Sequence, residues 1–175
     1  MLVLPFLLSL PVCVADRGEP ELKRAQLETV AMAIEAVTPK PSERAALITI
    51  AWFESRLCRD VHAGSKRGGS GEGLWQIEPG SRLRRPYAGL DQEATEHAAG
   101  EALGLWRRSW CPGQGSAARF RVYAGLGCGP SSWTGAAPRA AFLGLVFAKL
   151  TERASFSPVR MAWLDPVRVI TDPLA

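Results

Sequence analysis

The stretch SERAALITIAWFESRLC, residues 42–58, decides the fold. Its apolar residues recur at intervals of three and four, which predicts one helix over about 43–58 with Ser42 as its N-cap. The apolar face comprises Leu47, Ile50, Ala51, Glu54, Leu57 and Cys58. A glutamate on such a face is expected to be buried, and burial favours the protonated carboxyl group. Glu54 is therefore a candidate general acid; the alternative is an exposed charge beyond an early helix end.

The same periodicity predicts four further helices, and no segment alternates with the period of a strand. Their ranges are 20–37, 91–110, 116–125 and 138–153. The chain has 175 residues, 47% hydrophobic and 22% charged, which suits one well-cored domain. We expect a mainly α fold, with a single domain over 16–153 and a C-terminal tail over 154–175.

The N-terminal residues 1–15, MLVLPFLLSLPVCVA, carry no charge and end in a small residue. They are too short to span a membrane comfortably, so we interpret them as a secretory signal cleaved between Ala15 and Asp16. The alternative is an uncleaved anchor, because no basic residue lies near Met1. The interpretation predicts export to the periplasm, the cell envelope or the extracellular space, without stable membrane insertion after cleavage.

The chain has four cysteines without a Cys-x-x-Cys pair, which argues against a zinc site. One of them leaves with the predicted signal. In an oxidising compartment we expect Cys111 and Cys128 to form a disulfide, and Cys58 to remain a free thiol that serves as a small apolar residue. His62 and His97 belong to no metal-binding motif, so neither a metal nor a cofactor is predicted.

The formal net charge of +4 favours an anionic surface or polymer as the partner. The basic residues occur in scattered pairs rather than in one dense block, so nucleic acid is not predicted as a partner.

Three motifs follow one another in the chain: FESRL at 53–57, GLWQIEP at 73–79 and VYAGLG at 122–127. Their order and spacing resemble those of the lysozyme-like lytic transglycosylases, which cut bacterial peptidoglycan. The resemblance covers about residues 42–128 and implies a lysozyme-like helical domain that acts on peptidoglycan glycan strands. Small members of this group accompany phage particles, secretion machines and pilus systems, and the resemblance does not choose among these partners.

The resemblance also assigns roles to residues. It implies that Glu54 is the catalytic acid, that Ser55 helps to shape the site, and that the Tyr123 hydroxyl lies near Glu54. The second motif would line the saccharide groove through Gly73, Leu74, Trp75, Gln76 and Ile77. The chain departs from the family at two positions: Trp75 stands where methionine is usual, and the asparagine expected after Tyr123 is absent. The second departure predicts that the site binds the acetamido group of the sugar differently.

The chemistry leaves three alternatives. A lytic transglycosylase, as the resemblance implies, uses one glutamate and forms a 1,6-anhydro ring on N-acetylmuramic acid. A hydrolysing muramidase on the same fold would need a second carboxylate, for which Glu72 is the foremost candidate, beside Asp60 and Glu78. A peptidoglycan-binding protein that has lost the activity is the third alternative, and the missing asparagine favours it.

Overall fold

The computed structural model describes residues 3–65, 71–78, 87–129 and 133–152. These residues form seven α-helices and no strand beyond an isolated bridge between Glu72 and Ile77. The helices are α1 (Val3–Ser9), α2 (Pro20–Val37), α3 (Pro41–Ser55), α4 (Arg59–His62), α5 (Gln92–Arg108), α6 (Ser116–Tyr123) and α7 (Ala136–Thr151). The predicted mainly α class is confirmed.

Helix α3 lies at the centre of the fold. Every residue from 45 to 52 is buried, as expected for a helix that is apolar on all sides. α3 packs mainly against α7 and also contacts α2 and α5. α2 packs along α5, and α6 packs against α7. The C-terminal end of α3, which carries Glu54, therefore has its position fixed by several neighbouring helices.

Proline sets the start of two helices. α2 begins at Pro20 and α3 at Pro41, positions where the missing proline N–H costs no helical hydrogen bond. The prediction that Ser42 is an N-cap is therefore wrong, because Ser42 already lies inside α3. The range of α2 matches its prediction, and the ends of α5, α6 and α7 lie within two residues of theirs. α4 was not predicted, and the tail at 154–175 lies outside the described residues.

The segment interpreted as a signal contributes to the core. α1 packs against α2 and α7, and Val3, Phe6 and Leu7 are buried. The Phe6 ring meets Phe142 of α7 edge-on, with 6.3 Å between the ring centroids. Cleavage after Ala15 stays a prediction, and it would remove these apolar side chains from the domain.

Two disulfides join separate segments of the chain. Cys111 is bonded to Cys128, the predicted pairing, with 5.7 Å between their Cα atoms. In the full chain Cys58 is bonded to Cys13 and is not free, so the predicted free Cys58 would require removal of residues 1–15. That prediction assumed that Cys13 leaves with the signal, whereas the packing of α1 brings Cys13 to the loop after α3.

Paired cysteines are typical of an oxidising, exported environment. Within the described ranges, no helix combines the length and the apolarity needed to cross a bilayer.

Candidate active site

Glu54 lies in the last turn of α3 and is neither buried nor free. Its side chain is 28% exposed, and its Oε1 atom accepts a hydrogen bond from Arg139 Nη2 at 2.9 Å. The predicted burial is therefore wrong. The apolar face of α3 reaches the surface of the core at the helix end, so that Leu47 and Ile50 are buried while Glu54 faces a partly open site.

The end of α3 explains this position. Arg56 and Leu57 both have left-handed backbone conformations, with φ of 53° and 56°, and this turns the chain away from the helix axis. Ser55 secures the turn, because its hydroxyl donates to Ala51 O at 2.8 Å and accepts from Leu57 N at 3.1 Å. Two consecutive non-glycine residues in this region carry backbone strain, a feature that concentrates at functional sites. Ser55 is buried, so it acts on the site through the backbone.

Arg139 of α7 is the residue of this site that sequence reasoning missed. Its guanidinium lies 4.8 Å from the ring centroid of Phe53 and 4.8 Å from that of Trp133. Arg139 Nη1 also donates to Gly135 O at 3.2 Å. The side chain is only 14% exposed, and its contact with Glu54 joins residues that are 85 positions apart. One signal was available in the sequence: Arg139 is the only charge in the first three turns of an otherwise apolar helix.

The second motif forms a tight turn. Glu72 and Ile77 exchange two backbone hydrogen bonds, of 2.9 and 3.1 Å, which close the turn between them. Gly73 has a φ of 66°, and a Cβ at this position would lie 2.0 Å from Tyr87 O, so only glycine fits. Gln76 is also left-handed, with a φ of 47°, and its side chain donates to Gly73 O at 2.8 Å. The Gln76 amide thus supports the turn, and its predicted contact with saccharide stays a prediction.

The apolar residues of this motif belong to the core. Trp75 is 1% exposed, and its indole Nε1 donates to Leu47 O of α3 at 3.0 Å. The Trp75 side chain is therefore a core residue, and a substrate contact through the Trp75 backbone stays a prediction. Leu74 and Ile77 are buried as well, so their predicted place in the saccharide groove would involve only their backbone, and it stays a prediction. Spacing could not predict this, since an apolar residue fits a groove and a core equally well.

Tyr123, at the end of α6, connects the third motif to the second. Its hydroxyl donates to Trp75 O at 3.2 Å. Burial raises the pKa of Tyr123, and the negative charge of Glu54 adds to this effect. The predicted position of the Tyr123 hydroxyl beside Glu54 stays a prediction.

The candidate second carboxylates either bind backbone amides or lie at the surface. Glu72 Oε2 accepts a hydrogen bond from Tyr87 N at 3.3 Å, and Asp60 Oδ1 accepts one from Val61 N at 2.8 Å. Both carboxylates thus stabilise backbone groups. Glu78 is exposed at the edge of a described range. A catalytic role for Glu72 stays a prediction.

A buried polar network supports the loop after α3. Leu57 O accepts hydrogen bonds from Lys23 Nζ and, at 3.1 Å, from Gln26 Nε2. Lys23 is paired with Asp16 at 2.8 Å, and the Asp16 carboxylate also accepts from Arg59 N, the first amide of α4. Burial lowers the pKa of Lys23, while its bond to Asp16 opposes that shift. These polar residues lack a sequence motif, so the network was not predicted.

No known protein family, curated protein or solved structure matches the chain. The resemblance to transglycosylases therefore depends on the three motifs and on how their residues are arranged. Within the described ranges, no group of three His, Cys, Asp or Glu side chains could hold a metal ion.

Proposed function

We propose that the protein is an exported lytic transglycosylase with a lysozyme-like domain, which cleaves the bond between N-acetylmuramic acid and N-acetylglucosamine in peptidoglycan. One observation carries the proposal. The third motif is bonded to the second, because the Tyr123 hydroxyl donates to Trp75 O at 3.2 Å, and the negative charge of Glu54 in the first motif contributes to the raised pKa of Tyr123.

The proposed reaction needs one carboxyl group in two successive states. Glu54 first protonates the glycosidic oxygen, and the bond to C1 of N-acetylmuramic acid breaks. The resulting carboxylate then removes the proton from the C6 hydroxyl of the same sugar. The C6 oxygen bonds to C1 and closes the 1,6-anhydro ring, so no water is consumed. A partly exposed carboxyl at a helix end is accessible for both steps.

Digestion of purified peptidoglycan tests the proposal. The soluble fragments are separated and weighed, and we expect anhydro ends, which are lighter by one water than the reducing ends that hydrolysis would produce. Glu54→Gln should lower the rate by about 10² to 10⁴-fold, because an amide cannot transfer the proton.

Glu43→Gln is the matched control. Glu43 lies in the first turn of the same helix and, like Glu54, is paired with an arginine from another helix. The control should cleave at the parent rate. Normal cleavage by Glu54→Gln would show that another group is the acid, and reducing ends would identify a muramidase.

A non-catalytic peptidoglycan-binding protein is the second candidate. The observation that favours it is the ion pair of Glu54 with Arg139, since a carboxylate held by a guanidinium at 2.9 Å is also a stable structural feature. Such a protein would bind peptidoglycan in a pull-down and release no fragments. Glu54→Gln would then change neither result.

A further inference from the structure

Four groups lie against the Arg139 guanidinium. Its central carbon lies 4.8 Å from the ring centroids of Phe53 and of Trp133, and Gly135 O and Glu54 Oε1 accept from its two terminal nitrogens. Exposed ion pairs hold long side chains loosely, because they lose side-chain entropy for little gain. A guanidinium held by four groups loses little further entropy when it binds a carboxylate.

The residues around Arg139 leave room for it. A Cβ at Gly135 would lie 2.6 Å from Trp133 Cε2 and 2.8 Å from Arg139 Nη1. Because Gly135 has no side chain, the indole of Trp133 and the guanidinium of Arg139 can lie close together. Phe53, Trp133, Gly135 and Arg139 thus form a cluster beside Glu54.

The chemistry of guanidinium decides which oxygen of Glu54 can carry a proton. Arginine has five N–H donors and no acceptor. An oxygen that accepts from Arg139 cannot at the same time present its own proton to Arg139. The carbonyl oxygen of a protonated carboxyl group accepts more strongly than its hydroxyl oxygen, so the bond to Oε1 favours the proton of the acid form on Oε2.

We propose that Arg139 is a positioning residue for Glu54, which binds Oε1 and reserves Oε2 for proton transfer to and from the substrate. The proposal rests on the proposed function and deepens it. After Oε2 has released its proton, Arg139 faces a full carboxylate, and their attraction favours that step. Arg139 itself touches neither the glycosidic oxygen nor the C6 hydroxyl.

Among the described residues of other helices, Arg139 of α7 pairs with Glu54, and Tyr123 of α6 has a pKa that the charge of Glu54 helps to raise. On the side of α3 itself, Arg56 lies over the rings of Trp52 and Phe53, at 4.9 and 5.6 Å. Arg139 thus bonds to Glu54 from a helix other than α3.

The kinetic experiment compares Arg139→Gln and Arg139→Lys with the parent on soluble peptidoglycan fragments. We expect Arg139→Gln to lower kcat by about 10²-fold, the usual cost of a misplaced catalytic group, with little change in KM. Arg139→Lys restores a cation and should recover part of kcat. Arg107→Gln is the matched control, since it breaks the Arg107–Glu43 pair at the other end of α3, and it should leave kcat unchanged.

Two kinetic outcomes would overturn the proposal. The first is an Arg139→Gln variant with the parent kcat. The second is a higher kcat in that variant, which would make Arg139 a restraint on Glu54.

An NMR measurement on the parent protein keeps the test independent of activity and of variant folding. The Arg139 Nη2 protons should exchange slowly with solvent in the parent and faster in Glu54→Gln. Fast exchange in the parent would overturn the proposal even if peptidoglycan is cleaved. Slow exchange in a protein that releases no fragments would support the contact and reject the proposed function instead.

Discussion

His62 Nε2 lies 3.0 Å from Thr95 Oγ1, and this hydrogen bond joins α4 to α5 in the interior. On the other side of the ring, Gln26 Nε2 lies 3.3 Å from Nδ1. Because the amide nitrogen is a donor, Nδ1 must accept, and the ring is neutral with its proton on Nε2. A second proton on Nδ1 would face the amide donor.

Stability should therefore fall in mild acid. Burial lowers the pKa of His62 from 6.5 to about 4, and the charge of Lys23 adds to this effect. Between these values the unfolded chain binds a proton that the folded chain does not. The free energy of unfolding is expected to drop by about 2 kcal/mol between pH 7 and pH 5, as measured by urea denaturation.

Two variants test whether His62 causes this loss of stability in acid. His62→Gln should be less stable at pH 7 but should lose most of this pH dependence. His97→Gln is the control and should retain it, because His97 stacks on Tyr87 outside the network. A full acid response in His62→Gln would mean that another group is responsible.

The cysteine pairing predicts the thiol content. The full chain should have no reactive thiol, and peptide mapping without reduction should recover Cys13 linked to Cys58 and Cys111 linked to Cys128. Replacing Cys13 by serine should lower the free energy of unfolding by about 2–4 kcal/mol. A single reactive thiol at Cys58 in exported protein would show that Cys13 has been removed. A bond from Cys58 to Cys111 or Cys128 would contradict the pairing.

Two substitutions in α1 test whether this helix belongs to the folded domain. Phe6 is fully buried, so Phe6→Ala should cost about 3–5 kcal/mol of stability. Leu8, on the same helix, is 43% exposed, and Leu8→Ala should cost about 0.5 kcal/mol or less. Thermal unfolding of the purified proteins measures both. Equal stability of the two variants would mean that the purified domain lacks α1.

Tyr123 belongs to the candidate site, and Tyr87 provides a matched control for its substitution. Tyr123→Phe removes the hydrogen bond to Trp75 O, which should cost about 1 kcal/mol of stability. If the proposed function holds, cleavage should fall as well, because the hydroxyl lies in the environment of Glu54. Tyr87→Phe should leave the cleavage rate unchanged. Parent activity in Tyr123→Phe would limit this hydroxyl to a structural role.

Binding to the wall should weaken with salt. The net charge of +4 attracts anionic wall polymers over distances that salt screens, since the Debye length falls from about 10 Å at 0.1 M to about 3 Å at 1 M. Cleavage specificity depends on short contacts and should not change. Sedimentation with intact walls at increasing salt measures binding, and binding that is indifferent to salt would exclude charge as its cause.

The sequence predicted the helices well because each apolar face repeats at helical spacing, and α2 matches its predicted range. It also singled out Glu54 and Tyr123 through short motifs. It could not predict the burial of Trp75 or the partial exposure of Glu54, because both depend on where α3 ends and on what packs there. Arg139 was missed for a similar reason: its partner lies 85 residues away, and only the packing of α7 on α3 joins them.

The packing of α1 has a consequence for the order of events during biogenesis. Phe6 and Leu7 cannot occupy a translocation channel or a bilayer while they lie against α2 and α7. If residues 1–15 act as the predicted secretory signal, the conformation described here can form only after they have been released from the export machinery. A protease that acts before release would leave a domain with a gap beside Phe142, whereas folding before cleavage would bury part of the segment that the protease must bind.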